Sequence, residues 1–443
     1  MEAKKILENH FDQLVEALQK TVSFNTEKTA PSENAPFGKN IADCLHFVLD
    51  MCKSFGLETY NCDNFAGHAD FRGSGNEVLG ILGHLDVVPA KAEEWKYPPY
   101  GAEIHDGKIF ARGTMDDKGP MIACLFAVKA LKESGFVPTK TVRLIFGCDE
   151  ESGMQCVEHY FSKMPFPNVS FSPDGDFPVI NIEKGIYQFD VVCGKLPQGV
   201  TLFAGERANV VPSVCKATVN GLADVSAFAN LSATTEDGTT TVIGTGKSAH
   251  GSTPDEGINA THNVIALLHK MFPQNQTLDF LANKVCDTTG AKWGIALCDK
   301  ESGKLTCNLG VLRTAEDGTL TATVDIRFPA SYNCNQMLQV LKNCTPAQFE
   351  IVPQHVSDPL YVSAESHLVS TLMDVYNTAC NCNLKPLAIG GGTYSRCLPN
   401  CVAFGPLFPD EEQTIHMPNE CIDLANLKLM AELYLEAIYR LAK

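Results

Sequence analysis

His84 and Asp86 stand two residues apart in the segment GHLDVVP (residues 83 to 89), just past an apolar run, EVLGIL, that ends at Leu82. In extended backbone, positions i and i+2 point to the same side, so the two side chains converge where the strand ends. A histidine beside an acid is a familiar pair at metal centres, the acid fixing the tautomer of the imidazole, and it is equally an ordinary hydrogen-bonded strand end. Four further segments carry acids or imidazole at comparable places. They are Asp116 and Asp117 in ARGTMDDKGP (111 to 120), Glu150 and Glu151 in GCDEESGM (147 to 154), Asp174 in SPDGDFP (172 to 178), and His416 in TIHMPNE (414 to 420). Singly, each has a plain structural reading: a capped helix start for the paired aspartates, a solvated turn for the acid run. Jointly, two histidines and at least three carboxylates at strand and loop ends suit a borderline divalent ion with positions left for water. Adjacent acids such as Glu150 and Glu151 can then divide the work, one coordinating metal and its neighbour acting as general base.

The elements that would position these residues alternate. Ile41 to Phe55 has helical spacing, Glu77 to Leu82 reads as a short buried strand, Pro120 to Leu131 as a helix and Thr141 to Gly147 as another strand. That alternation predicts an α/β layer with a largely buried sheet. From about Ile186 to Asn383 the chain becomes β-rich, with a helix-like stretch from Gly257 to Met271. In LTATVDIRF (320 to 328) the period-2 pattern puts Asp325 and Arg327 opposite the apolar face. Near Leu384 the α/β texture returns, with GGGT, a strand-like CVAFG (401 to 405) and a closing helix from Cys421 to Leu441. The expected fold class is therefore α/β. A domain with a mixed or parallel sheet flanked by helices (1–185 plus 384–443) is interrupted by an inserted α+β domain (186–383). The first twenty residues read as one amphipathic helix.

Composition narrows the partners. Lys and Arg total 35 against 52 Asp and Glu, a formal charge of −17, which opposes binding to nucleic acid or an anionic membrane surface. No apolar run reaches membrane-spanning length, and small molecules and cations are the expected ligands. The 18 cysteines are scattered, and the N-terminal helix lacks the pattern of a signal peptide, so reduced thiols and a cytoplasmic location are expected. The pairs Cys380/Cys382 and Cys397/Cys401 lack a matching second pair and read as ordinary thiols rather than a zinc site. GGGTYSR (390 to 396) lacks the Gly-Lys-Ser/Thr ending of a phosphate loop.

Taken in order, GHLDVVP, ARGTMDDKG, DEESG, SPDGDFP, the inserted SAHGSTPDEGINA and the late IHMPNE resemble the M20 family of co-catalytic metallopeptidases. DDKGP, SPDGDFPVINIEKG and GGGTYSR, with the long insert, are similar to its dipeptidase branch. The resemblance implies a zinc-peptidase-like catalytic domain, an inserted lid, and two divalent metal ions, zinc first and cobalt or manganese otherwise. It implies one metal held by His84 and Asp174, the other by Glu151 and His416, with Asp116 bridging and followed by a cis peptide bond. Asp86 would be the acid behind His84, and Glu150 the general base. From the lid, His250 of SAHG and Arg327 of DIRF would meet substrate, with Asn209 of ANVVPS at another polar position. The backbone of Gly391 and Gly392, with Arg396, would receive a substrate carboxylate. Ala111 stands where the family usually has glycine, which touches only local turn geometry. The implied activity is hydrolysis of dipeptides by a water shared between the metals, in a single chain sufficient for activity. The alternative is an M20 deacylase of N-acyl amino acids, which normally has a shorter lid; a non-catalytic binding protein would have lost the base or a ligand.

Overall fold

The computed structural model describes residues 2–443. The chain divides into two compact units. The first holds the chain up to Asn181 together with Val362–Leu387 and Gly392–Lys443, and the second holds Ile182–Tyr361 with Ala388–Gly391.

The first unit is built on a mixed sheet. Strand Val78–His84 lies between Thr141–Gly147 and Val169–Ser172 and is parallel to both; Cys401–Ala403 continues the parallel set beside Val169–Ser172. Antiparallel strands Ala66–Phe71 and Glu58–Cys62 complete the other side. With helices on its faces, the central sheet has no solvated side, which is why TVRLIFG is buried at every position instead of alternating. Helix Lys118–Glu133 is likewise apolar almost all round, because it packs on the closing helix Leu424–Leu441 and on the N-terminal helices as well as on the sheet. Gly83 permits this approach: a Cβ there would collide with the Asp117 carboxylate and the Met121 side chain. His84 and Gly147 form the last pair of the parallel ladder, so the segments after both strands leave the sheet at the same carboxyl edge.

Three boundaries differ from the sequence pattern. The N-terminal helix is two helices, Glu2–Asn9 and Phe11–Val22, divided at His10, whose Nε2 lies 2.7 Å from Glu133 Oε2. Leu7, Leu14 and Leu18 are all buried, so the apolar spacing runs through the break without registering it. The closing segment begins as a short strand, Cys421–Asp423, and becomes helical only at Leu424, where the Asp423 carboxylate accepts the N–H groups of Ala425 and Asn426. Finally, the chain rejoins the first unit at Val362, not near Leu384. Helix His367–Ala379 packs against Leu424–Leu441, and Tyr376 stacks 5.2 Å from the Phe177 ring. An amphipathic helix shows that it has a buried face, but not which unit that face serves.

The second unit is an eight-stranded antiparallel sheet in the order Leu231–Glu236, Thr239–Thr245, Val214–Asn220, Thr201–Ala204, Thr306–Thr314, Thr319–Phe328, Gly185–Lys195, Glu350–Ser357. Alternation along Thr319–Phe328 sends Leu320, Ala322, Val324, Ile326 and Phe328 into a core with Phe189 and Trp293. Helices Ala260–Met271 and Cys334–Cys344 supply buried side chains to this core. Asn259 caps the first of them, so it starts three residues later than the sequence spacing suggests, after a 3-10 turn at Pro254–Glu256. Asn333 and Gln336 form a capping box on the second.

Candidate active site

At the carboxyl edge of the first unit's sheet, one carboxylate stands between two imidazoles. His84, fully buried at its strand end, places Nε2 2.8 Å from Asp116 Oδ1, and His416 places Nε2 2.8 Å from Asp116 Oδ2. His416 Nε2 is also 3.1 Å from Glu151 Oε1. His84, Asp116 and Glu151 each offer a donor atom within 4.8 Å of the others. Asp116 sits in the loop before helix Lys118–Glu133, and its peptide bond to Asp117 is cis. His416 adopts a left-handed backbone (φ 62°), an uncommon conformation for a non-glycine residue that concentrates at functional positions. Asp174 follows strand Val169–Ser172; it lies outside the three-residue cluster but close enough to interact with Asp116, His84 and Glu151, and it accepts the Tyr394 backbone N–H.

The electrostatics are those of an acid-rich pocket. Burial, then the charge of Asp116, pushes Asp174 up to about 7. Burial, then Asp174, raises Glu150 well above the usual carboxylate range, and Asp117 likewise. Burial opposes charge on the histidines, but Asp116 with Asp86 raises His84, and Asp116 with Glu151 raises His416 to about 11. The bridging Asp116 is the exception among the acids: burial works against its ionisation, yet the two histidines hold it well below the usual range. Carboxylates whose shared charge is disfavoured, beside imidazoles whose protonated form those same carboxylates favour, describe an acid-rich site in which a divalent ion would balance the charge in place of protons. The donor separations also fit, being near the roughly 3.3 Å edge shared by donors about 2.0–2.1 Å from one tetrahedral centre. The oxygen and imidazole donors are of the type zinc, cobalt and manganese accept.

The supports around the cluster include residues the sequence did not single out. Asp86 faces His84 mainly through its main chain: His84 Nδ1 lies 2.9 Å from the Asp86 carbonyl oxygen and 3.6 Å from its carboxylate. The Asp86 carboxylate instead accepts the N–H groups of Glu150 (3.1 Å) and Glu151 (3.0 Å), fixing the turn that carries both. Glu420, fully buried, accepts the N–H groups of Gly113, Met115 and Asp116 and pairs with Arg112 at 2.7 Å, so one carboxylate holds the whole loop leading to Asp116. Asp149, also fully buried, binds Lys28, Ser152 and the Gln155 N–H. The Tyr394 ring packs edge-on to His84 at 5.9 Å. Glu420 lies in the quoted TIHMPNE motif, but nothing in its spacing ties it to a loop some three hundred residues earlier.

In the second unit, Asn209, His250 and Arg327 come together. The Asn209 carbonyl accepts the Gly251 N–H at 2.8 Å, Val210 and His250 form a β-bridge, and His250 Nδ1 lies 2.7 Å from Ser252 Oγ. Burial, then Arg327, lowers the His250 imidazole. Arg327 is neither exposed nor in a surface pair. It is buried, held by both oxygens of the fully buried Asp325, and donates Nη1 to the Gly390 carbonyl at 2.8 Å. At Asp325 and Arg327 the face opposite the strand's apolar core is thus buried too, whereas Thr321 and Thr323 on the same face are only half-buried, a change along the strand that period-2 alternation could not reveal. Of the glycine segment, Gly390 and Gly391 belong to this unit, whereas Gly392 and Arg396 belong to the first, where the Arg396 guanidinium lies against Gly392.

Residues 80–440 match the model of peptidase family M20/M25/M40, and the chain belongs to that family. It is 34% identical over 461 aligned positions to the Bacillus subtilis (strain 168) protein named "Putative dipeptidase YtjP", covering 98% of each chain. A Staphylococcus aureus (strain USA300) protein, also named as a dipeptidase of that kind, is 32% identical with 99% of each covered. Among solved structures, human carnosine dipeptidase 1 aligns with a TM-score of 0.59 at 13% identity over 98% of each chain. The dipeptidase Dug1p of Saccharomyces cerevisiae aligns at 0.58 and 12% identity over 99% of this chain and 98% of its own. These likenesses establish the α/β fold. The family makes the chain a peptide hydrolase that uses divalent metal. No helix among the described residues is long and apolar enough to cross a membrane.

Proposed function

We propose that the protein is a dipeptidase that hydrolyses its substrate with two divalent ions, zinc in the first place, and that a single chain in the cytoplasm suffices. The observation that carries this reading is the bridging geometry of Asp116, each of whose carboxylate oxygens lies 2.8 Å from a different histidine. His84 and Asp174 would hold one ion, Glu151 and His416 the other, and Asp116 both. When bound, the pair polarises the scissile carbonyl and acidifies water near neutral pH. Glu150, on the turn fixed by Asp86, would take up the proton of the attacking water and deliver it to the leaving amine. His84 and Asp116 are kept in position by the Asp86 carbonyl and by Glu420. Asn209, His250 and Arg327 are the candidate substrate contacts of the second unit, with Asp325 orienting Arg327. The Gly391 and Gly392 backbone and Arg396 would receive the C-terminal carboxylate of the substrate. The 18 cysteines, none of them joined in a disulfide, agree with a reducing compartment.

The test compares free dipeptides with their C-terminal amides, one-residue extensions and N-acetyl amino acids, using metal-stripped protein restored with zinc, cobalt or manganese. Free dipeptides should be the best substrates. Loss of the terminal charge should lower kcat/KM by roughly tenfold or more, the equivalent of about 1.4 kcal/mol in the transition state. Faster cleavage of the acetylated amino acids would replace this reading with the deacylase, and full turnover without metal would end it.

A further inference from the structure

A second group of donors lies away from the cluster described above and shares no residue with it. Cys62 ends strand Glu58–Cys62, Asp63 begins the turn into Ala66–Phe71, and His159 comes from helix Gln155–Lys163; one donor atom from each lies within 4.8 Å of the others. Among the described residues, the only other such group is His84, Asp116 and Glu151. The donors are preoriented. Asp63 Oδ2 is 2.7 Å from His159 Nε2, and the imidazole is stacked on Phe65 with ring centroids 4.0 Å apart. Cys62 is fully buried beneath them, while Asp63, His159 and Lys163 remain partly open to solvent. The place already holds a cation: Lys163, one helical turn after His159, puts its ammonium on the same Asp63 oxygen.

We propose that Cys62, Asp63 and His159 form a separate binding site for a thiophilic divalent ion of the zinc and cobalt class, which enters by displacing the Lys163 ammonium. Thiolate, imidazole and carboxylate are the three donor types such an ion accepts, and three protein ligands leave a position for water. The exchange balances: Lys163 leaves still protonated, the Cys62 thiol gives its proton to solvent, and the ion gains a thiolate. An occupied site would join the edge hairpin of the sheet to the helix that follows the Glu150–Glu151 turn.

Cobalt tests the proposal in the full chain, because the Asp116 cluster contains no cysteine and a thiolate-to-cobalt charge-transfer band therefore reports only cysteine ligation. The expected result is a saturable band equivalent to one ion per chain, beyond those bound by the Asp116 cluster. It should be lost in Cys62→Ser, require roughly tenfold more cobalt in His159→Gln, and saturate at lower cobalt in Lys163→Met. His159 and Lys163 are partly exposed, so these two variants test the site even if Cys62→Ser does not fold. A band that persists in Cys62→Ser, or its absence from both the wild-type chain and Lys163→Met at saturating cobalt, overturns the proposal.

Discussion

Glu150 and Glu151 share one turn and one anchoring carboxylate, Asp86, yet they face different neighbours. Glu151 Oε1 lies against His416, whereas burial and the charge of Asp174 favour the neutral form of Glu150. Their substitutions should separate accordingly. Glu150→Gln is expected to lower turnover by about a hundredfold or more while bound metal stays near the wild-type content. Glu151→Gln should weaken occupancy of one ion. Metal analysis alongside initial rates decides the matter, since equal metal loss in both variants contradicts the division of labour. Glu420 acts at one remove, by holding the loop that carries Asp116. Glu420→Ala leaves the Arg112 guanidinium buried without its partner and frees several loop N–H groups, and breaking a buried pair costs about 3–5 kcal/mol. A clear drop in Tm together with weaker metal binding is expected; unchanged metal affinity in a destabilised protein would reduce Glu420 to a purely structural role.

Strand Ala66–Phe71, one in from the edge of the sheet, carries a histidine whose titration couples the element to pH. His68 is buried, its Nδ1 lies 2.7 Å from the Tyr160 hydroxyl, and Arg143, paired with Asp70, stands nearby. Burial, then the Arg143 charge, lowers His68 to about 4, against a usual value near 6.5. The unfolded chain therefore takes up a proton between those values that the folded chain refuses. Stability from this group is whole above about pH 6.5 and falls as pH drops toward 4, by roughly 3 kcal/mol in all. His68→Gln should flatten this dependence, even if it costs stability at neutral pH through the lost tyrosine contact. Urea unfolding at pH 7 and pH 4.5 measures the difference; an identical slope in the variant rejects His68 as the source.

At the level of the whole molecule, the candidate residues are divided between two units, with the metal-type donors in the first and His250, Asn209 and Arg327 in the second. If both sets serve the same reaction within one chain, mixing Glu150→Gln protein with His250→Ala protein should restore no activity, and wild-type activity should stay proportional to concentration on dilution. Recovered activity in the mixture would show that the second unit of one chain serves the first unit of another.

The sequence by itself determined the alternating strands and helices of the first unit and the segments that carry metal-type donors, because buried strands and acid-rich strand ends leave a local record. Strand Thr141–Gly147, with Glu150 and Glu151 just past it, and the placement of His84 at the end of its own strand follow from short stretches of chain. What only the tertiary structure decided lies in pairings across long separations. Arg327, polar and on the face away from its strand's apolar core, is buried because Asp325 and the Gly390 carbonyl satisfy it. Asp86 offers His84 its carbonyl and spends its carboxylate on a turn more than sixty residues later. Glu420 reaches back to the loop of Asp116, and helix His367–Ala379 belongs with the closing helix. Periodicity records whether a residue is turned toward a core; which distant atoms complete its hydrogen bonds is set only when the chain has folded.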